Sequence, residues 1–140
     1  MNSLGQTEVG SDLLRLTREC RHIDVHLSTQ VGLTVDEMHC LSVIFSEKPA
    51  CVKELSRLLD INATRTSKLL WNLEQKELVT RSLDASDHRK ELISLTEAGV
   101  ELVKRTLSLY TEIGSRLFGE RSSELIADFS RLVRSVPYSG

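Results

Sequence analysis

No apolar run in the chain approaches membrane-spanning length, so a membrane-embedded protein is not expected. Cysteine is scarce and awkwardly placed: Cys20, Cys40 and Cys51 are odd in number, widely spaced and without a Cys-x-x-Cys pair. That pattern excludes a disulfide framework and zinc-finger spacing and reads as a reduced intracellular chain. Proline occurs only at Pro49, in an expected loop, and at Pro137, in the tail. There is no internal repeat, low-complexity tract or linker, so residues 1–140 are read as a single domain. No signal peptide opens the chain and Met1-Asn2 does not match a myristoylation site, so a cytoplasmic location is expected. A Gly-rich phosphate loop, a nucleophile elbow and a Ser/His/Asp constellation are all missing, which points away from an enzyme and gives no reason to expect a cofactor.

What is present is an ordinary globular composition, 40% hydrophobic and 27% charged, enough for one real core. The net charge of -2 argues against a non-specific nucleic-acid binder, but the charge is unevenly spread. Residues 62–90 carry six Lys and Arg against four Asp and Glu, a balance of +2, whereas residues 1–61 stand at -3 and residues 91–140 at -1. The excess is modest, so tight binding to a polyanion would need two copies of the domain.

The pattern along the chain is mainly α-helical with a small β-hairpin. Leu13, Leu16, Cys20, Ile23 and Leu27 recur at helical steps and predict an amphipathic helix over 11–30, with Ser11 or Asp12 as N-cap. A second helix over 34–46 opens on a Thr34/Glu37 capping box and buries Met38, Leu41 and Phe45. Residues 51–77 read as two short helices separated by Asp60-Ile61-Asn62, with Asn62 capping the second, which is a helix-turn-helix pattern. Leu78, Val79, Leu83 and then Leu92, Ile93, Leu95 are strand-like positions around a polar loop tipped by Asp87-His88-Arg89-Lys90. Two helices followed by such a hairpin make a winged helix. Beyond it, a helix opened by Thr96 runs to a break near Gly119, and a last one spans about 122–136 with Leu125, Phe129, Leu132 and Val136. Long amphipathic helices at both chain ends exceed what a small winged helix needs to cover its own core, and imply a partner surface, most simply a second copy of the chain.

These motifs carry a family resemblance. Asp87-His88-Arg89 in the wing, Leu95-Thr96-Glu97-Ala98-Gly99 after it, Gly32-Leu33-Thr34 before the second helix and the Val52–Leu59 helix, in that arrangement, resemble the MarR-family transcriptional regulators from about residue 11 to about 136. The resemblance implies a winged helix-turn-helix over about 34–95, with dimerisation helices over about 11–30 and 96–136. It also implies a double-stranded DNA partner, a homodimer, a small aromatic or phenolic effector and, most commonly, repression. The chain departs from the family pattern at Asp60, where glycine is frequent, at Thr66, where an aliphatic residue is usual, and at Trp71.

Candidate DNA contacts follow from the helix beginning after Asn62. At 100° per residue, Thr66, Leu69, Leu70 and Leu73 share the core side, while Thr64, Ser67, Lys68, Trp71 and Gln75 face outward with Arg65 on the flank. Thr64, Arg65 and Lys68 are expected at or near base edges and Ser67 at a phosphate. By resemblance Arg89 enters the minor groove, while Lys90 and Arg81 are candidate backbone contacts. Asp87 is expected to orient a neighbouring cation, Arg65 or Arg89. Trp71 either lies on a phosphate backbone or covers the subunit's own surface.

The effector cleft implied by the resemblance has Arg18, His22, His26 and His39 as candidates. A thiol-responsive variant of the same fold would use Cys20 or Cys40, and a metal-responsive one would pair His22 and His26 with Glu37 or His39. A winged-helix protein-interaction adaptor without DNA binding is the alternative from another class.

Overall fold

A computed structural model describes residues 3–89 and 91–137, with the side chains of residues 3, 4, 6 and 7 outside that description. The chain folds as α1 (Ser3–Val31), α2 (Val35–Glu47), α3 (Val52–Leu59), α4 (Ala63–Gln75), β1 (Val79–Leu83), β2 (Glu91–Leu95), α5 (Glu97–Phe118) and α6 (Ser123–Ser135). It divides into two compact units, residues 1–35 and 36–140. No helix among the described residues is long and apolar enough to cross a membrane.

The first unit is essentially α1, which starts eight residues before the expected residue 11. Ser11 and Asp12 therefore lie inside the helix and do not cap it. Nothing in the preceding sequence stops a helix: it contains no proline, and Gly10 is tolerated at modest cost. The helix ends where Gly32 adopts φ 73°, a left-handed turn that glycine takes without penalty.

The second unit holds the helix-turn-helix and its wing, around a core of Met38, Leu41, Leu55, Leu70, Leu73 and Val103, all buried. α3 covers Val52–Leu59, the helix that the resemblance implied, with Cys51, the first residue of the expected run, standing as its N-cap. The turn that follows is closed by the Asp60 amide donating to Arg57 O and the Ile61 amide donating to Ser56 O. Asp60 itself sits at φ 55°, the left-handed conformation for which a glycine would be the unstrained choice. Asn62 caps α4 as expected, its side-chain oxygen accepting from the Arg65 amide at 2.8 Å.

A buried pair of hydroxyls joins the two helices. Ser56 Oγ lies 2.8 Å from Thr66 Oγ1, and the Thr66 hydroxyl in turn donates to Asn62 O at 3.0 Å. The departure from an aliphatic residue at Thr66 is thus matched by a polar partner on α3, which removes the cost of burying the hydroxyl.

β1 and β2 form an antiparallel hairpin in the register Val79↔Leu95 to Leu83↔Glu91. At its base four elements meet on one residue. The Leu78 amide donates to Leu73 O at the end of α4, and Leu78 O accepts from the Thr96 amide at the start of α5. Thr96 Oγ1 donates to Glu77 O at 2.7 Å and accepts from the Gly99 amide at 3.0 Å. Gly99 presses against this junction so closely that a Cβ there would collide with the Leu78 carbonyl oxygen. The Leu95-to-Gly99 motif is therefore a docking device for α5. The last helix, α6, is capped by Ser122 and buries no residue; Phe129 meets Phe118 of α5 edge-on, with ring centroids 5.1 Å apart.

Two substitutions test this junction through urea-denaturation midpoints. Gly99→Ala is expected to cost about 1–3 kcal/mol because nothing but backbone is available to yield. Glu77→Gly is expected to gain about 1 kcal/mol, because Glu77 holds φ 57° at the neck of the wing.

Candidate nucleic-acid interface

The outward face of α4 is polar except for Trp71. Thr66, Leu69, Leu70 and Leu73 are buried, whereas Thr64, Arg65, Lys68, Trp71 and Gln75 are exposed and Ser67 is half-buried. Helical periodicity alone thus sorted this helix correctly. Trp71 is 56% exposed, so it does not serve as a cover for its own subunit.

The cations nearest that face are held by carboxylates that sequence reasoning did not assign. The Arg65 guanidinium pairs with Asp36, in the first turn of α2, and both side chains remain exposed. The adjacent Glu37, which is buried, accepts from Lys76 Nζ at 2.6 Å, just past the end of α4. The first turn of α2 thereby grips α4 near both of its ends. Arg81 on the wing bonds Glu74 of α4 through Nε and reaches Glu91 of β2 at 3.4 Å through a terminal nitrogen. With a side chain only 21% exposed, it ties wing to helix. The exposed pair of Arg65 is worth at most about 1 kcal/mol and exchanges readily for a phosphate, whereas Arg81 is committed to two acids.

The wing tip is built from short polar turns. Asp84 Oδ1 accepts from the Ser86 amide at 2.9 Å and from its hydroxyl at 2.8 Å. Asp87 Oδ1 accepts from the Arg89 backbone amide at 3.1 Å. Asp87 therefore acts on Arg89 through the main chain, and Arg65, the other cation expected beside it, is taken by Asp36. Arg89 is exposed; Lys90 lies outside the described residues.

Of the expected cleft residues, three belong to the first unit and one to the second. Arg18, His22 and His26 are exposed on α1, where His26 Nε2 lies 2.8 Å from Gln30 Nε2. His39 is exposed on α2 and borders a small cavity of about 90 Å³ with Asp36, Leu59, Ile61 and Leu69. A more spacious cavity of about 650 Å³ opens within the second unit, walled by Ile44, Phe45, Ser46 and Lys48 at the end of α2, Ile93 to Leu95 of β2, and Val100 of α5. Its walls include none of those four candidates. Among the described residues no three His, Cys, Asp or Glu side chains gather as a metal site. Cys40 is buried; burial, reinforced by the nearby Asp36 and Glu37 carboxylates, pushes its thiol from 9.0 up to about 12. A thiol so protonated is a poor nucleophile and unsuited to redox sensing. Cys20 is exposed and Cys51 half-buried.

With this geometry in hand, the chain can be set beside known proteins. Residues 33–90, from the start of α2 to the wing tip, match the MarR family. A MarR family protein from Bacillus stearothermophilus, 22% identical, superposes over 96% of this chain and 94% of its own with a TM-score of 0.85. Over residues 33–90 the chain is similar to the MarR family. The fold is accordingly a winged helix-turn-helix, as in the Bacillus stearothermophilus structure. Transcriptional regulator ZitR of Lactococcus lactis subsp. cremoris (strain MG1363) is 29% identical over 108 residues, 72% of this chain and 73% of ZitR. S. aureus MepR in complex with DNA is 26% identical, covering 91% of this chain and 99% of MepR, with a TM-score of 0.66. MepR is also solved bound to ethidium bromide, with a TM-score of 0.63.

Two measurements check the chain's internal chemistry. Native protein treated with iodoacetamide at pH 8 is expected to be alkylated at Cys20 and spared at Cys40, as read by peptide mass spectrometry; alkylation of Cys40 at a comparable rate would contradict its burial. In a double-mutant cycle, Ser56→Ala and Thr66→Val each cost about 1 kcal/mol while the double variant costs less than their sum, because each single change removes the bond between the two hydroxyls and leaves the other with only its carbonyl partner, Val52 O or Asn62 O.

Proposed function

We propose that the protein is a sequence-specific double-stranded DNA-binding regulator that acts in the cytoplasm as a homodimer, represses transcription and responds to a small ligand. The observation that carries this reading is the outward stripe of α4: uncharged and cationic side chains at its N-terminal end, directly opposite a fully buried core face, beside an exposed wing arginine. Thr64, Arg65 and Lys68 meet bases or their surroundings, Ser67 a phosphate, and Arg89 the minor groove, with Lys90 on the backbone. Asp87 shapes the wing so that Arg89 projects. Arg81 steadies the wing against α4, and any phosphate contact it makes is secondary to that. The DNA-bound MepR structure supports the reading by its likeness over most of the chain.

Dimerisation is supported by the apolar side chains that this subunit leaves exposed on its terminal helices, including Leu13, Leu16, Leu117, Leu125, Phe129 and Leu132. Two recognition helices then enter successive major grooves about 34 Å apart, and occupancy of the operator blocks polymerase. The cavity behind the wing, with its apolar walls, suits a small aromatic effector, and MepR bound to ethidium supports a ligand of that chemistry. Filling it would shift β2 against α2 and so change the spacing of the two heads.

Charge reversal separates this function from that of a protein-binding adaptor. Arg65→Glu, Lys68→Glu and Arg89→Glu are each expected to weaken binding to the DNA flanking the protein's own gene at least tenfold. Each is also expected to flatten the salt dependence by about one unit of slope for every phosphate left without its cation. Unchanged, weak and salt-insensitive DNA association across all three variants would favour the adaptor.

A further inference from the structure

We propose that Trp71 is a base-reading residue of the recognition helix, set against thymine C5-methyl groups on the floor of the major groove. The proposal rests on the DNA-binding reading above and extends it to a residue whose role the sequence left open between two alternatives.

Position carries the argument. Around a helix advancing about 100° per residue, Thr66, Leu69, Leu70 and Leu73 centre on one direction, and Thr64, Lys68, Trp71 and Gln75 fall within about 30° of the opposite one. Trp71 thus lies on the outward stripe, at the edge toward Glu74, and only about 20° from Thr64. The flanks, at about a right angle to that stripe, belong to Arg65 and Glu74, which pair with Asp36 on α2 and Arg81 on the wing. A helix seated in a major groove turns its flanks to the phosphate walls and its central stripe to the base edges. An indole on the stripe, about 30° from its centre line and about 60° from the flank, is therefore turned toward bases rather than backbone.

Chemistry and reach agree with position. Trp71 is the chain's single tryptophan and stays 56% exposed, a large apolar surface left open amid polar neighbours. On the floor of the major groove the apolar feature is the thymine methyl; the other groups there are hydrogen-bond donors and acceptors. On the stripe the short Thr64 is followed by the long Lys68 and Trp71, which suits a helix that enters N-terminus first, since the later turns stand farther from the floor. Trp71 lies about 10 Å along the axis from Thr64, or about three base-pair steps, so it samples positions that Thr64 does not.

The test uses the full chain and a duplex that it enriches from a random-sequence pool, with each thymine replaced in turn by deoxyuridine, which lacks only the methyl group. At one or two thymines per half-site the replacement is expected to weaken the wild-type chain about fourfold, the worth of one buried methyl. Trp71→Ala is expected to be insensitive at those same thymines while keeping the wild-type salt slope and melting temperature. The proposal is overturned if Trp71→Ala weakens selected and unrelated duplexes alike with no thymine-specific loss, which would put the indole along the backbone, or if the variant binds as the wild type does. A pool that yields no preferred duplex for the wild-type chain overturns the DNA-binding reading itself, and this proposal with it.

Discussion

The Leu78 peptide is the crossing point on which the second unit depends. Its amide closes the end of α4, its carbonyl takes the amide of Thr96, and the face of that carbonyl is where α5 rests through a residue without a Cβ. Four elements are fixed relative to one another by one short stretch of backbone. The wing cannot swing freely at its base, and α5 cannot slide along the sheet, without breaking main-chain hydrogen bonds that are costly to leave unmade. Rigidity there is what lets a five-residue hairpin strand hold an arginine at a defined place relative to a recognition helix.

A second layer of constraint is electrostatic and softer. Asp36 and Glu37, neighbours in α2, reach Arg65 and Lys76 near opposite ends of α4, while Arg81 joins α4 to the wing. The three differ in how firmly they are held. Glu37 is buried, so its pairing with Lys76 matters to the fold; Asp36 and Arg65 are both in solvent and can part at little cost. The helix is thus anchored at its far end and chemically available at the near end, where the proposed base contacts lie.

Much of this was legible in the sequence because it is local. Helical steps sorted the buried and exposed faces of α4, Asn62 and Thr96 announced helix starts, and the Asp84–Asp87 stretch announced a tip made of side-chain-to-backbone turns. The start of α1 was misplaced because Ser11 and Asp12 are good caps that the helix simply passes through. The Arg65–Asp36 pair joins residues 29 apart in sequence and had no local signature. Arg81 and Glu91 are different: once Arg81 faces Ile93, Glu91 is its diagonal neighbour on the same face of the hairpin, so knowledge of the register would have been enough. The motif containing Gly99 was visible as a pattern, but its reason is steric and appears only when α5 is seen against Leu78.

A helix with no fully buried residue also bears on how the protein behaves at low copy number. Thirteen residues are too few for an isolated helix to be firmly formed in water, so α6 gains order from whatever covers it. If a second chain supplies that cover, ordering and assembly become one event, and the population able to occupy both half-sites rises with roughly the square of subunit concentration until pairing is complete. Such a regulator is nearly silent when scarce and engages abruptly as it accumulates, a dosage threshold written into the amphipathic surface of its last helix rather than into the DNA it reads.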